Sequence, residues 1–203
     1  MMIRTVIFDI GMVLAYFRWR ELYAELGFSG EKFEKIADAT VRNPWWNEFD
    51  KGLMTTEEVL ERFSESAPEY KNEIAEIFDH LDEIVSLYDY AIPWIRELKQ
   101  KGYRIYVLSN WSRPAYEANL ETHLRFLKEV DGAVMSFREG IIKPDQKIYE
   151  LICSRFDIKP QEAVFLDDNA ANITAARAFG LNAIHFQNYE QAKAELNQYL
   201  EEN

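Results

Sequence analysis

The chain has 203 residues, of which 48% are hydrophobic and 14% are aromatic. This composition is ample for a packed core and differs from that of disordered chains. The formal net charge of -12 disfavours nucleic acid and anionic membranes as partners, because the mean field of the protein repels phosphate groups. An anionic substrate would therefore need a local cation to overcome that field.

The cysteine content and the apolar runs of the sequence bear on the cellular compartment in which the protein is expected. Cys153 is the only cysteine, so no disulfide can form within the chain, which fits a reducing environment. No apolar run reaches membrane-spanning length, and the N-terminus lacks the pattern of a signal peptide. We expect a cytoplasmic protein without membrane contacts that is a monomer or a weak dimer.

Short apolar runs that are typical of buried strands lie toward both ends of the chain. They cover residues 3–9, 103–110, 131–136, 163–167 and 182–186. Segments with helical periodicity separate most of them. Strands that alternate with helices predict an α/β fold with a parallel sheet built by right-handed crossovers.

The interval 17–88 contains no convincing strand. Four amphipathic stripes predict four helices there: Leu22/Tyr23/Leu26, Phe33/Ile36/Ala37, Val59/Leu60/Phe63 and Ile74/Ile77/Phe78/Leu81. Gly27 would end the first helix, and Thr55 with Glu58 would form a capping box for the third. We predict a four-helix bundle, residues 17–88, inserted into a core made of residues 1–16 and 89–203.

Polar side chains follow several of the predicted strands. Asp9 ends the first strand, Ser109 and Asn110 end the second, and Lys143 precedes Pro144, which favours an extended backbone at the lysine. The carboxyl ends of parallel strands border the crevice where open α/β sheets bind ligands. Taken singly, each residue has another interpretation: a turn or cap for Asp9, a helix N-cap for Ser109 and a solvated surface lysine for Lys143.

Two adjacent carboxylates, Asp167 and Asp168, follow the strand at residues 163–167. Such neighbours repel each other unless a cation lies between them. Carboxylate and carbonyl oxygens are ligands that suit Mg²⁺, which also binds substrate phosphate. The pair therefore predicts a magnesium site at the mouth of the sheet.

In this order, the motifs resemble those of the haloacid dehalogenase-like (HAD) hydrolase superfamily. They are Phe8-Asp9 with Val13-Leu14, then Leu108-Ser109-Asn110, Lys143-Pro144-Asp145 and Phe165-Leu166-Asp167-Asp168-Asn169. The Asp-x-Gly-x-Val form of the first motif is similar to that of bacterial sugar-phosphate phosphatases. The resemblance implies a Rossmann-like parallel core with an inserted all-helical cap, for which residues 17–88 are the candidate.

The resemblance also implies a mechanism and a site. Asp9 would be the nucleophile of a Mg²⁺-dependent phosphatase that acts on a small phosphate ester through an aspartyl-phosphate. The metal ligands would be Asp9, the backbone carbonyl of Gly11, and Asp168, with Asp167 assisting directly or through water. Ser109 and Lys143 would act on the phosphoryl group. Asn110 would help to bind it, and Trp111 would line the pocket.

Gly11 departs from the pattern of most phosphatases of this superfamily, which carry there an aspartate that protonates the leaving oxygen. Glycine cannot supply that proton, so water or a cap residue would have to do so. Alternatively, the substrate has a good leaving group, or catalysis is lost. Two other functions stay open: a metal-free haloacid dehalogenase, and a non-catalytic phosphate-binding module.

The cap would select the substrate. Arg18, Arg42, Trp45 and Trp46, together with the stretch 48–52, are candidates to face the active site. Arg18 and Arg42 could bind a second anionic group, and a tryptophan such as Trp45 could stack on a sugar face. The competing interpretation is that aromatic residues at helical spacing belong to the hydrophobic core. His80 lies in a helical stripe region, on the surface of the cap or between its helices, and His123 and His185 lack acidic or cysteine neighbours at metal-ligand spacing.

Overall fold

The computed structural model describes residues 2–201. Within them the strands are β1 (Thr5–Phe8), β2 (Ala15–Phe17), β3 (Val85–Leu87), β4 (Arg104–Ser109), β5 (Gly132–Met135), β6 (Ala163–Asp167) and β7 (Asn182–His185). The α-helices are α1 (Trp19–Glu25), α2 (Gly30–Ala39), α3 (Trp45–Lys51), α4 (Thr56–Ser66), α5 (Lys71–Asp79), α6 (Ala91–Gln100), α7 (Arg113–Asn119), α8 (Ser136–Glu139), α9 (Gln146–Arg155), α10 (Ala170–Phe179) and α11 (Tyr189–Glu201).

Five of the strands form one parallel sheet in the order β5-β4-β1-β6-β7. In the central strand β1, Phe8 lies opposite Val107 of β4 and Leu166 of β6. All five apolar runs that predicted strands lie in this sheet, so the prediction of a parallel α/β fold is confirmed.

The strand order opens a crevice beyond β1 and β6. The chain leaves β1 to reach β4 on one side, and it leaves β6 to reach β7 on the other. Because these two connections diverge, the carboxyl ends of the neighbouring strands are left uncovered, as in other open α/β sheets that bind ligands.

Both faces of the sheet are covered, which explains why its strands are almost continuously apolar. On one face, Ile7 belongs to a buried cluster with Tyr149 of α9 and Ile173 of α10. On the other face, the ring of Phe8 meets that of Trp94 in α6 edge-on, with 4.9 Å between centroids.

The helical interval differs from the prediction in two respects. Helices α1, α2, α4 and α5 match the four stripes, but α3 is a fifth helix, so the four-helix prediction was wrong. With only seven residues, α3 is too short to show a repeating stripe. In addition, β2 and β3 pair antiparallel, Ala15 opposite Leu87, where no strand was predicted over 17–88. Strands of three residues are too short to show an alternation.

Local signals in the same interval behave as predicted. The Thr55 hydroxyl accepts from the Glu58 amide at 3.2 Å, and the Glu58 carboxylate accepts from the Thr55 amide at 2.8 Å, which completes the capping box of α4. Gly27 follows the end of α1 with a φ of 82°.

The helices of this interval share one hydrophobic cluster with the sheet, since Phe63 of α4 and Ile77 of α5 belong to the same buried cluster as Phe8. The division into residues 17–88 and a core of 1–16 and 89–203 stays a prediction. Within residues 2–201, no helix has the length and apolarity that a membrane span requires.

Candidate active site

Asp9 lies directly beyond the central strand and is 7% exposed. Its Oδ1 accepts three hydrogen bonds, from the Ile10 amide at 2.7 Å, the Ser109 hydroxyl at 2.7 Å and the Lys143 ammonium at 2.8 Å. None of the residues that the structure describes donates to its Oδ2. Burial raises the pKa of Asp9 to about 7, although the positive charge of Lys143 acts in the opposite direction. One carboxylate oxygen is therefore held in place while the other is available.

Lys143 connects Asp9 to Asp167. Its Nζ lies 2.6 Å from Asp167 Oδ2 and 3.0 Å from the Leu108 carbonyl, and the side chain is almost completely buried. Burial disfavours the ammonium charge, but the carboxylates of Asp167 and Asp9 outweigh this effect and raise the pKa of Lys143. The sequence alone left open a solvated lysine; the structure places Lys143 at the centre of a buried ion cluster.

Asn110 fixes the backbone of Lys143 by two reciprocal hydrogen bonds. The amide group of Asn110 donates to the Lys143 carbonyl at 3.0 Å, and the Lys143 amide donates to Asn110 Oδ1 at 2.8 Å. The loop after β4 and the loop before α9 are thereby locked together, which holds the ammonium in position.

Asp167 is fully buried, and both of its oxygens are engaged. Besides Lys143, it accepts from the Asn169 amide at 2.8 Å and, at each oxygen, from Asn172 Nδ2 at 3.0 Å. These bonds show an anchor for Lys143 rather than a carboxylate that awaits a ligand. Asp168, by contrast, is exposed at the mouth of the sheet.

The charges of this region fit a divalent cation. Asp9, Asp167 and Asp168 can each place one oxygen within 4.8 Å of the others. No described backbone amide donates to the Gly11 carbonyl. Lys143 is the one cationic residue among those that line the adjoining cavity, which also contains the carboxyls of Asp9, Asp50 and Asp168. The donor set is all oxygen and carries excess negative charge, as Mg²⁺ sites do.

A cavity of about 290 Å³ adjoins Asp9. Its floor is formed by residues at the ends of β4 and β6 and in the loop before α9, including Ser109, Asn110, Lys143 and Asp168. The opposite side is mainly apolar and comes from the helical interval, the β2–β3 pair and the loop after β4: Phe17, Trp46, Ile84, Val85 and Trp111. The size suits a small ligand.

Asp50, in the last turn of α3, also lines the cavity. Desolvation raises the pKa of its carboxyl to about 8, with a further contribution from the negative charge of Asp9 and an opposing one from Lys143. The stretch 48–52 was a candidate to face the site, but the sequence did not single out Asp50.

The structure brings together most of the predicted site residues: Asp9, Gly11, Ser109, Asn110, Trp111, Lys143 and Asp168 line the cavity, and Asp167 lies behind it. Arg18 and Trp45 are not among the lining residues. Arg18 donates to the Glu83 carbonyl and pairs with Glu25, and Trp45 packs under Arg62.

Arg42, in the turn between α2 and α3, likewise pairs with Glu34 and Asp38 of α2 at the exposed surface. Asn172 was not predicted as a site residue, although it is a polar residue in the apolar stripe of α10. Such a residue is costly unless its amide is bonded. Of the histidines, His185 shares a 2.8 Å hydrogen bond with the Asp168 carbonyl.

Comparison with known proteins agrees with this geometry. A family model described as haloacid dehalogenase-like hydrolase matches residues 3–180. The chain belongs to this family. It is therefore a hydrolase, and the four motifs on which the resemblance rested lie around one cavity.

Two relatives of the chain match it over very different shares of their own length. The chain is 26% identical to sesquiterpene phosphatase astK of Aspergillus oryzae over 197 residues, which covers 97% of the chain and 96% of that protein. It is 30% identical to acyl-CoA dehydrogenase family member 10 of Mus musculus over 164 residues, 76% of the chain. The chain spans only 15% of the length of that mouse protein.

Solved structures of HAD enzymes share the fold. One from Bacteroides thetaiotaomicron superimposes with a TM-score of 0.75 at 18% identity, covering 95% of this chain and 99% of the other. A complex of a HAD enzyme from this organism with magnesium and inorganic phosphate gives a TM-score of 0.71 at 19% identity and covers 94% and 98%. At these identities the likeness concerns the fold.

Proposed function

We propose that this HAD hydrolase is a Mg²⁺-dependent phosphatase that cleaves a small phosphate monoester through an aspartyl-phosphate on Asp9. The observation that carries the proposal is the state of the Asp9 carboxylate. Three donors orient Oδ1, while Oδ2 has no partner among the described residues and the side chain lines the cavity. An oriented carboxylate with one free oxygen is suited to nucleophilic attack.

Each residue of the site has a separate role in the proposed reaction. Asp9 attacks phosphorus in line with the ester oxygen, and water later hydrolyses the acyl phosphate. Ser109 and Lys143, which already bond Asp9, contribute a donor and a positive charge beside the phosphoryl oxygens. Asp9, Asp168 and the Gly11 carbonyl would hold Mg²⁺, and Asp167 would assist through Lys143 or a water molecule. The metal, when bound, supplies positive charge that neutralises the phosphoryl oxygens.

The lining of the cavity bears on the leaving group. Resemblance favours a sugar phosphate, and Trp46 and Trp111 offer ring faces on which a sugar could stack. Apart from Asp50, however, the side opposite the carboxylate cluster offers mainly hydrocarbon, including Phe17 and Val85. The relative named as a sesquiterpene phosphatase supports an apolar leaving group. We therefore propose to test both substrate classes.

Haloacid dehalogenation is the second candidate, because the dehalogenase 1 of Pseudomonas sp. is 29% identical over 56% of the chain. A haloacid would bring a carboxylate into a cavity whose described lining holds Lys143 as its one cation. That lysine already pairs with Asp9 and Asp167. This lack of a free cation favours a phosphatase that recruits Mg²⁺.

The proposal also covers the partners, the cellular location and the oligomeric state of the enzyme. The net charge of -12 supports a small-molecule substrate without nucleic acid or membrane partners. We propose a cytoplasmic enzyme that acts as a monomer or a weak dimer, which sedimentation at several concentrations would test.

The decisive experiment is phosphate release from a panel of esters, including glucose 1-phosphate and a prenyl monophosphate, with and without Mg²⁺. Asp9→Asn should lower the rate by on the order of 10³-fold or more, since it removes the nucleophile. Asp89→Asn is the matched control, because Asp89 is exposed and lies outside the cavity lining. Metal-independent turnover of 2-chloropropionate would refute the proposal, and so would full activity of Asp9→Asn.

A further inference from the structure

Asp50 occupies a place in the cavity that matters because position 11 is glycine. The phosphatase reaction needs a proton for the leaving oxygen, and Gly11 has none to give. Among the described residues that line the cavity, the carboxyls are Asp9, Asp50 and Asp168. Asp9 is the proposed nucleophile and Asp168 a proposed metal ligand, which leaves Asp50 without an assigned role.

Hydrogen bonds from the core fix the backbone of Asp50. Ser136 Oγ, at the start of α8, donates to the Asp50 carbonyl at 2.6 Å. The same Oγ accepts from the Trp111 amide at 2.8 Å, two residues after Ser109. A chain of two hydrogen bonds thus connects the loop that follows Ser109 to the helix that carries Asp50.

Close packing fixes the end of α3 as well. Gly52 adopts a φ of 69°, and a Cβ at this position would lie 2.6 Å from the Phe137 carbonyl oxygen and 2.8 Å from its Cβ. Only glycine allows helix α3 to approach α8 this closely. The end of α3 is therefore seated on the core, and Asp50 is positioned by it.

The carboxyl of Asp50 is not engaged elsewhere. Across residues 2–201, no side chain or amide forms a hydrogen bond or salt bridge with it, whereas its neighbour Lys51 pairs with Glu48 at 2.7 Å. The raised pKa of Asp50, to about 8, is consistent with a carboxyl that carries a proton at neutral pH. Neutral, buried carboxylic acids are suited to general acid catalysis.

We propose that Asp50, reaching into the cavity from the helical interval, is the proton donor that replaces the acid missing at Gly11. This inference rests on the proposed phosphatase function. As Asp9 forms its bond to phosphorus and the ester P–O bond breaks, the leaving oxygen takes the proton of Asp50 and departs as the alcohol. Water then attacks the aspartyl-phosphate and gives one proton to Asp50. The Asp9–phosphorus bond breaks, and inorganic phosphate leaves.

The test uses the leaving group as its readout. In Asp50→Asn, hydrolysis of an alkyl phosphate should fall by roughly 10²–10⁴-fold, the usual contribution of general acid–base catalysis. Release of p-nitrophenolate from p-nitrophenyl phosphate, whose leaving group needs no proton, should slow far less in a single turnover. Hydrolysis of the aspartyl-phosphate then also lacks its base. When the reaction with p-nitrophenyl phosphate is quenched with acid, Asp50→Asn should therefore contain more phosphoenzyme than the wild type, as measured by mass spectrometry.

Two further variants make the result specific. Glu48→Gln removes a carboxylate from the same helix that lies outside the cavity lining, and it should leave both rates unchanged. Gly11→Asp, at a position where a Cβ meets no atom within 4 Å, should restore alkyl phosphate hydrolysis to the Asp50→Asn protein. Unchanged melting temperatures would show that the folds are comparable.

The outcomes separate this inference from the proposed function. If wild-type enzyme hydrolyses phosphate esters and Asp50→Asn slows alkyl and aryl esters equally, or not at all, Asp50 is not the proton donor. If wild-type enzyme releases no phosphate and forms no phosphoenzyme, the phosphatase proposal itself fails.

Discussion

Lys143→Met tests whether the buried ion cluster stabilises the fold as well as the site. The substitution keeps the length of the side chain and removes the ammonium. Asp167, which is fully buried, then loses its 2.6 Å salt bridge and retains only amide donors. Removing one partner of a buried ion pair leaves an uncompensated charge and costs about 3–5 kcal/mol.

The free energy of unfolding should be measured by urea denaturation of the metal-free protein. For a chain of this size, the expected loss corresponds to a decrease of roughly 6–20 °C in melting temperature. In Lys143→Met/Asp167→Asn the buried charge of Asp167 is removed as well and only that of Asp9 stays unpaired, so the double variant should lose less stability than Lys143→Met alone. This non-additivity is the signature of a coupled pair.

A loss below about 1 kcal/mol in Lys143→Met would match an exposed salt bridge and refute the reasoning. Equal destabilisation of the single and double variants would contradict it too, because the cost would then come from packing of the lysine stem rather than from the charge of Asp167.

The remaining predictions concern glycines, the metal and the thiol. Gly11→Asp alone should fold normally and change alkyl and aryl phosphate hydrolysis little, because Asp50 already supplies the proton; a large gain confined to alkyl phosphates would argue against Asp50 as the donor. Gly52→Ala should cost about 1–3 kcal/mol of stability through its clash with Phe137, and more than Gly27→Ala, which has a similar φ but no atom within 4 Å of its Cβ. Mg²⁺ at 100 times its Kd should stabilise the wild type by about 2.7 kcal/mol in thermal shift assays, and Asp168→Asn should abolish most of this shift. Burial raises the pKa of Cys153 to about 11, so the thiol stays protonated at neutral pH, and its alkylation should be slow until the protein unfolds; fast labelling of the native protein would contradict this.

The sequence by itself determined the α/β class, the five strands of the sheet and the strand-end residues. Apolar runs and helical stripes are local patterns, and a parallel sheet necessarily brings the carboxyl ends of its strands to one edge. For this reason Asp9 and Ser109 were identifiable as parts of one site from positions far apart in the chain, whereas Lys143, in the loop before α9, was assigned to it through the family resemblance.

Only the tertiary structure decided which side chains are free to act. Arg18 and Trp45 had suitable chemistry, but Arg18 pairs with Glu25 and Trp45 packs under Arg62. Asp50 had no distinguishing pattern, because its place in the cavity depends on contacts between α3 and α8. The division of roles between Asp167 and Asp168 also depends on Lys143, which is distant from both in sequence. Burial and hydrogen bonding of a carboxylate arise from packing between elements, and no local pattern encodes them.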